Sequence, residues 1–325
     1  MFQLISDGGA DFTKEEAQRY NVGIVPFYIT FDQVNYLKEG IDIDQEAYFQ
    51  RLVAEKDLFP KTSQPSPQDY MDMYTPYLAA GQDILSLTIS SKLSGSYASA
   101  VIAAEFLKDE YPDRTIAIVD SLSSTIGQGL ILREIIKMRD ADYSLSETVT
   151  LAEQIRKTTR IYVTLDSLEY LRRGGRVGPT TALVGGILGL RPILQVVDGE
   201  VSQLDNVRGK KRALQMMEEA MAETLKDETQ NISLVIGHIL SEQDAIAFKA
   251  NAEAALGTEI TNPITSVGVT IGTHAGPGAL AFAYCRKYEA IEPQPISSPA
   301  EGENGKQMQS AERSASSKIE KDVVA

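Results

Sequence analysis

Few residues in this chain can do acid–base or metal chemistry: two histidines, His238 and His274, and one cysteine, Cys285. A zinc-type centre needs three or four Cys, His or carboxylate ligands, and no ligand-like spacing occurs. His274 lies in Gly272-Thr273-His274-Ala275-Gly276-Pro277-Gly278, read as a tight turn after a strand. Glycines there allow a backbone or ligand to approach closely, and an imidazole donates to an anion. His238 sits inside the apolar run Leu234–Leu240 and reads as a satisfied core or rim side chain. Cys285 falls in an apolar strand pattern and reads as buried rather than reactive.

Hydroxyls cluster in two loops. Ser90-Ser91-Lys92-Leu93-Ser94-Gly95-Ser96-Tyr97-Ala98-Ser99-Ala100 follows an apolar run, Ile84–Ile89, and opens an alanine-rich helical pattern. That order places hydroxyls and the unpaired first N–H groups of a helix at one point, where an anion or carboxylate finds donors. An ordinary serine cap is the plainer alternative. Thr62-Ser63-Gln64-Pro65-Ser66-Pro67 is a proline-fixed hydroxyl loop before a helix around Gln68–Leu78. A Ser94–His274 hydrolase stays open as a second reading, although no Gly-x-Ser-x-Gly elbow occurs. A sugar- or phosphate-binding regulator is a third. Neither a Walker A loop nor a Gly-x-Gly-x-x-Gly is present, so no nucleotide cofactor is expected.

The elements that must position these residues divide by style. Strand–loop–helix units repeat through Phe2–Ser6, Asn21–Thr30, Ile84–Ile89 and Thr115–Val119, which predicts a mostly parallel sheet with helices on both faces. Ligands in such sheets lie beyond the carboxyl ends of the strands. Thr13 and Glu16 are spaced as a capping box, as are Ser241 and Asp244. Further on, Pro192–Val197, Asp198-Gly199 and Glu200–Leu204 form a hairpin pattern, because Asp-Gly suits a primed turn. Helices are expected over Leu145–Lys157, Ser167–Arg173 and Arg208–Lys226. The fold class is therefore α/β with two domains: a mostly parallel α/β domain over 1–158 and an α+β domain over 159–288. Residues 289–325, rich in Pro, Ser, Gly, Glu and Lys, are expected to be disordered.

Composition narrows the partners. Of 325 residues, 43% are hydrophobic, enough for a sizeable core, and no apolar run is long enough to span a membrane. A net charge of −14 argues against nucleic acid. A lone cysteine and the absence of a secretory leader fit a cytoplasmic setting. Against this acidic background Arg172, Arg173, Arg176, Arg191, Arg208, Lys210, Lys211 and Arg212 form a basic surplus suited to an acidic partner. Ala182–Leu190, apolar and broken by glycines, reads as core or, in the preferred reading, as one wall of an apolar cavity near the domain junction.

Together these segments resemble the DegV family, bacterial fatty-acid-binding proteins that serve a fatty acid kinase. The resemblance runs from about Phe2 to Tyr288. It rests on Ser6-Asp7 with Asp11, Thr62–Ser66, Ser90–Ala100, Asp120-Ser121, Leu171–Arg176, Gly189–Leu194, Arg208–Lys211 and Gly272–Gly278. It implies a long acyl chain held in an apolar tunnel between two domains. The carboxylate would be bound by Thr62 and Ser94, with His274 nearby and N–H groups around Gly95 and Ser96. It further implies a lipid-binding subunit without catalysis of its own, presenting the carboxylate to an ATP-binding kinase subunit. The resulting acyl phosphate feeds phospholipid synthesis. Arg173 and Arg208 are then the candidates for kinase contact. Gly8-Gly9 departs from the family's more usual Ser-Thr.

Overall fold

The apolar runs of the first half become strands covered on both faces, and the hydroxyl loops become their carboxyl-end connections. A computed structural model of the chain describes residues 2–55, 57–176 and 190–291. Strand β1 (Phe2–Asp7) is buried throughout and runs through a short 3-10 turn, Gly8–Ala10, to α1 (Lys14–Arg19). Then come β2 (Val22–Val25), β3 (Tyr28–Thr30), β4 (Tyr36–Lys38), α2 (Gln45–Ala54), β5 (Lys61–Ser63) and α3 (Pro67–Ala79). They are followed by β6 (Asp83–Thr88), α4 (Ser96–Lys108), β7 (Ile116–Asp120), α5 (Thr125–Asp140) and α6 (Leu145–Thr158). The remainder is β8 (Arg160–Thr164), α7 (Glu169–Gly174), β9 (Leu190–Val197), β10 (Glu200–Arg208), α8 (Lys210–Leu225), β11 (Ile232–His238), α9 (Glu242–Leu256), β12 (Thr265–Ser266), α10 (Val269–Ala275) and β13 (Leu280–Arg286).

The architecture is mixed α/β. Strands β2-β1-β6-β7 form a parallel sheet, as the repeated units predict. A separate sheet, β10-β9-β8-β13-β11-β12, is antiparallel except between β11 and β12. Strands β4-β3-β5 make a small antiparallel sheet beside them. Tyr70, Tyr74 and Leu78 of α3 and Ala100, Ala103 and Leu107 of α4 cover one face of the parallel sheet. Helix α5 lies between the two large sheets; Ile126, Leu130 and Ile131 join Leu4 and Leu85 on one side to Val235 and Ala281 on the other. Helices α8 and α9 close the outer face of the second sheet through Met217, Met221 and Phe248.

Local signals hold where chemistry is local. Thr13 and Glu16 make both bonds of their capping box. Asp198 and Gly199 take φ of 50° and 84° at the predicted hairpin turn, and β9 pairs with β10 across it. Gly175 ends α7 at φ 67°.

Three expectations change. The single strand over Asn21–Thr30 is split at Pro26, which has no N–H for a ladder, and β3 joins the small sheet instead. The Ser241–Asp244 box does not form: the Asp244 carboxylate pairs with the Lys210 ammonium, while the Ser241 N–H donates to His238 Nδ1 at 3.3 Å. The stretch before His274 is a helix, α10, rather than a strand and turn. Ala182–Gly189 and the expected tail beyond Ile291 lie outside the described residues; Glu289 and Ala290 belong to a 3-10 turn.

Candidate ligand-binding site

A cavity opens between the inner face of the antiparallel sheet and the carboxyl-end loops of the parallel one. It encloses about 1010 Å³ not filled by protein atoms, its open mouth included. Its floor follows from strand alternation. Gly237, Ala281, Val163 and Leu194 are register partners across β11, β13, β8 and β9, so they share one face of the sheet. Gly237 and Ala281, the smallest of the four, leave a trough between larger neighbours. The roof comes from Phe27 after β2, Ile89 and Leu93 after β6, and Ile271 and Ala275 of α10. Most of the wall is apolar.

Polar groups converge where β5, α10 and the β6–α4 loop meet. Thr62 pairs with Ile29 in the small sheet, and its Oγ1 lies 2.8 Å from His274 Nε2. Ser94 lines the same cavity and accepts the Ser96 N–H at 3.2 Å. The imidazole is flanked by Thr62 at Nε2 and by Gly174 at Nδ1, and the helix carrying it is packed against α2. Among the described residues the ring Nδ1 is buried without a partner, and a Cβ at Gly174 would lie 2.1 Å from it. Tyr48 Oη meets Thr273 Oγ1 at 2.6 Å, and a Cβ at Gly272 would strike Phe49 at 2.3 Å. An orphaned buried N–H is rarer than an orphaned lone pair. That places the ring proton on Nε2, donating to Thr62 Oγ1. The Thr62 hydroxyl proton is then free for an acceptor in the cavity.

Electrostatics at this end favour an anion. Burial, with Arg176 and Lys61 nearby, lowers His274 to about 4, so the ring is neutral near pH 7. The positive charge comes instead from those two cations. Arg176 lines the cavity and donates to Gly174 O at 2.6 Å and Leu93 O at 3.4 Å. Lys61 donates to Arg173 O at 3.1 Å. In a chain of net charge −14, this is a local reversal of sign.

The structure brings Thr62, Ser94 and His274 to one cavity but engages Gly95 and Ser96 elsewhere. The Gly95 N–H donates to Gln64 Oε1 at 2.9 Å, and a Cβ at Gly95 would sit 2.3 Å from that oxygen. The Ser96 hydroxyl is fully buried and donates to Asp7 Oδ2 at 2.7 Å. Neither residue lines the cavity. The N–H groups expected to face the ligand are engaged within these loops: the Gly95 N–H by the Gln64 amide oxygen and the Ser96 N–H by Ser94 Oγ, while only the Ser96 hydroxyl reaches the buried carboxylate.

Asp7 is that carboxylate, and sequence reasoning missed its role. It accepts from Gly9 N, Ile89 N, Ser96 Oγ and Gln128 Nε2, tying the ends of β1 and β6 to the start of α4. Burial still raises its pKa despite these donors. Gly8-Gly9 fits this packing, because a Cβ at Gly9 would lie 2.9 Å from Gln128 Oε1 and 3.0 Å from Asp7 Oδ1. Gln64 and Arg176 also line the cavity; the first lies in the proline-fixed loop and the second in the basic surplus, and neither was assigned to the ligand from sequence. Of the expected partner contacts, Arg173 pairs with Glu169 and lies over the Phe59 ring at 3.7 Å. Arg208 is exposed at the end of β10. His238 lines the cavity with its Nδ1 satisfied, and Cys285 is buried with a pKa raised by burial.

Among known proteins, a DegV domain-containing protein of Caldanaerobacter subterraneus is 32% identical over 285 residues, covering 87% of this chain and 98% of the relative. A solved structure described as a fat acid (stearic acid)-binding protein from Eubacterium ventriosum superposes with a TM-score of 0.86 at 28% identity, covering 90% of this chain and 100% of that one. A DegV-family protein from Thermus thermophilus, solved for its fatty acid binding, gives a TM-score of 0.79 at 28% identity, covering 88% and 99%. The family profile described as "Uncharacterised protein, DegV family" matches residues 1–287, and the chain accordingly belongs to the DegV family.

Proposed function

We propose that the protein binds a long-chain fatty acid, its acyl chain in the cavity and its carboxylate at Thr62, Ser94 and His274. The observation carrying this reading is the join of an apolar trough to a polar, cationic mouth within an acidic chain. Burying an acyl chain contributes about 0.8 kcal/mol per CH₂, roughly 10 kcal/mol or more gross before ordering and desolvation. The chain supplies affinity, and the mouth orients the head. A carboxylate there meets the Thr62 and Ser94 hydroxyls and the field of Arg176 and Lys61, so its desolvation is offset. The fatty acids named for the solved relatives support the same ligand class.

The test is extraction of the purified, denatured protein followed by mass spectrometry. A stoichiometric long-chain acid is expected. Protein that carries none from several expression hosts, and takes up none when offered, refutes the reading.

We propose further that the α/β domain (1–158) and the α+β domain (159–288) enclose the acyl chain between them, with its carboxylate near the mouth and open to transfer chemistry by another protein. We infer that a separate ATP-binding kinase subunit phosphorylates the presented carboxylate, the nucleotide and Mg²⁺ belonging to that partner. The acyl phosphate then enters phospholipid synthesis. Arg173 and Arg208 are the proposed contacts. Arg173→Glu or Arg208→Glu is expected to weaken kinase docking, measured by titration calorimetry, and to leave fatty acid occupancy unchanged. Loss of occupancy in either variant would assign that residue to the cavity instead.

A serine esterase is disfavoured by geometry. His274 Nε2 faces Thr62 rather than Ser94, and among the described residues Nδ1 faces Gly174 with no carboxylate to orient the ring.

A further inference from the structure

Helix α10 carries His274, yet nothing in its own sequence holds its start. Val269-Thr270-Ile271-Gly272-Thr273 is rich in β-branched residues and glycine, all weak helix formers. Gly268, at the cap position, has no side chain to offer. The first N–H groups are taken by two carboxylates from far away in the chain. Gly268 N donates to Asp11 Oδ1 at 3.0 Å, and Thr270 N donates to Glu39 Oε1 at 3.0 Å. The Thr270 hydroxyl bonds Glu39 as well, and the Thr125 hydroxyl bonds Asp11.

Placement makes this pair more than a cap. Thr125 and Thr270 line the acyl cavity, whereas Asp11 and Glu39 line a separate outer groove. The two acids therefore stand directly behind the cavity wall, and α10 runs from them to His274. Thr125 holds φ of 46°, a left-handed conformation costly for a β-branched residue, while its hydroxyl bonds Asp11. A Cβ at residue 268 would lie 2.7 Å from Glu39 Oε1 and 2.8 Å from Asp11 Oδ1, so both carboxyls close on one backbone point. Burial pushes Asp11 up to about 8, with Glu39 adding to the rise, and raises Glu39 too.

We propose that Asp11 and Glu39 are positioning residues for His274: by holding the first N–H groups of α10 they fix the helix that sets the imidazole against Thr62. Neither touches the ligand. The inference rests on the fatty acid reading only for its binding arm, since the geometry of His274 can be read without ligand.

The test uses delipidated full-length protein and the nearly isosteric variants Asp11→Asn and Glu39→Gln. Histidine ring NMR reads the His274 tautomer and its titration, and thermal unfolding reads stability. In the wild type His274 should titrate near 4, and in each variant its titration should move toward the ordinary 6.5 as the ring leaves its clamp. Added oleate should bind at least tenfold more weakly to the variants. Lower stability with an unmoved His274 titration would make the pair purely structural and overturn the proposal. A second measurement does not depend on the variants folding. In wild-type protein the Gly268 and Thr270 amides should be as protected from hydrogen exchange as Gly272, and free exchange at both would also overturn it. Failure of wild-type protein to bind oleate refutes the fatty acid reading alone and leaves the NMR arm standing.

Discussion

Adjacent glycines at the end of α7 separate a steric requirement from a conformational one. An alanine Cβ at Gly174 would stand 2.1 Å from His274 Nδ1, where ordinary contact begins near 3.4 Å, so the ring must move by more than an ångström. Thr62 Oγ1 is only 2.8 Å from Nε2, and a shift of that size breaks the bond. Overpacking of this kind costs about 1–3 kcal/mol, offset by up to about 1 kcal/mol from replacing a helical glycine. At Gly175 nothing lies within 4 Å, but φ is 67°, so alanine there carries only the left-handed penalty, about 1 kcal/mol. The two variants should therefore melt within a few °C of each other. Their ligand affinities should part. Losing an oriented hydrogen bond to a charged head costs about 1.5–3 kcal/mol, roughly 10- to 150-fold in affinity. Fluorescent fatty acid displacement measures this, with scanning calorimetry on the same samples. Wild-type affinity in Gly174→Ala, or an equal loss in Gly175→Ala, would show that the His274–Gly174 contact does not organise the site.

Two further outcomes follow from the same geometry. Because His274 is lowered to about 4 from 6.5, the unfolded chain binds its proton first, and stability should be lost as pH falls from about 6.5 to about 4. The full shift corresponds to about 3 kcal/mol, read as the difference between wild type and His274→Gln in urea titrations across that range; parallel curves would contradict the burial of the ring. Ser94→Ala should weaken fatty acid binding with little change in stability, whereas Ser96→Ala should cost about 1–3 kcal/mol of stability by stripping a donor from buried Asp7. Equal stability losses in the two variants would contradict the different surroundings assigned to these serines.

Much of the fold was legible because its signals are local. Apolar runs followed by hydroxyl loops marked the parallel strands and the end at which the cavity opens. Asp198-Gly199 marked a hairpin, and Thr13 with Glu16 marked a helix start. The candidate site was legible in part: residue type singled out the two hydroxyl loops and His274, the family resemblance named Thr62 and Ser94 within those loops, and all three residues line one cavity. At Gly95 and Ser96 the sequence shows a helix start that looks open, and only the structure shows its N–H donors taken by Gln64 and Ser94 and the Ser96 hydroxyl by Asp7.

Residue order alone determined the apolar alternation, the Asp198-Gly199 turn and the Thr13–Glu16 capping box, since each depends on neighbours a few positions apart. Tertiary structure alone decided that α10 is a helix, because its start is held by Asp11 and Glu39, 257 and 231 residues from their partners. It also decided that Gly174 bears on His274 and that Gly237 and Ala281 share a cavity floor. Such contacts arise only when distant segments pack, and a weak local preference yields to them because a buried N–H or carboxylate without a partner costs more than an unfavourable helix residue.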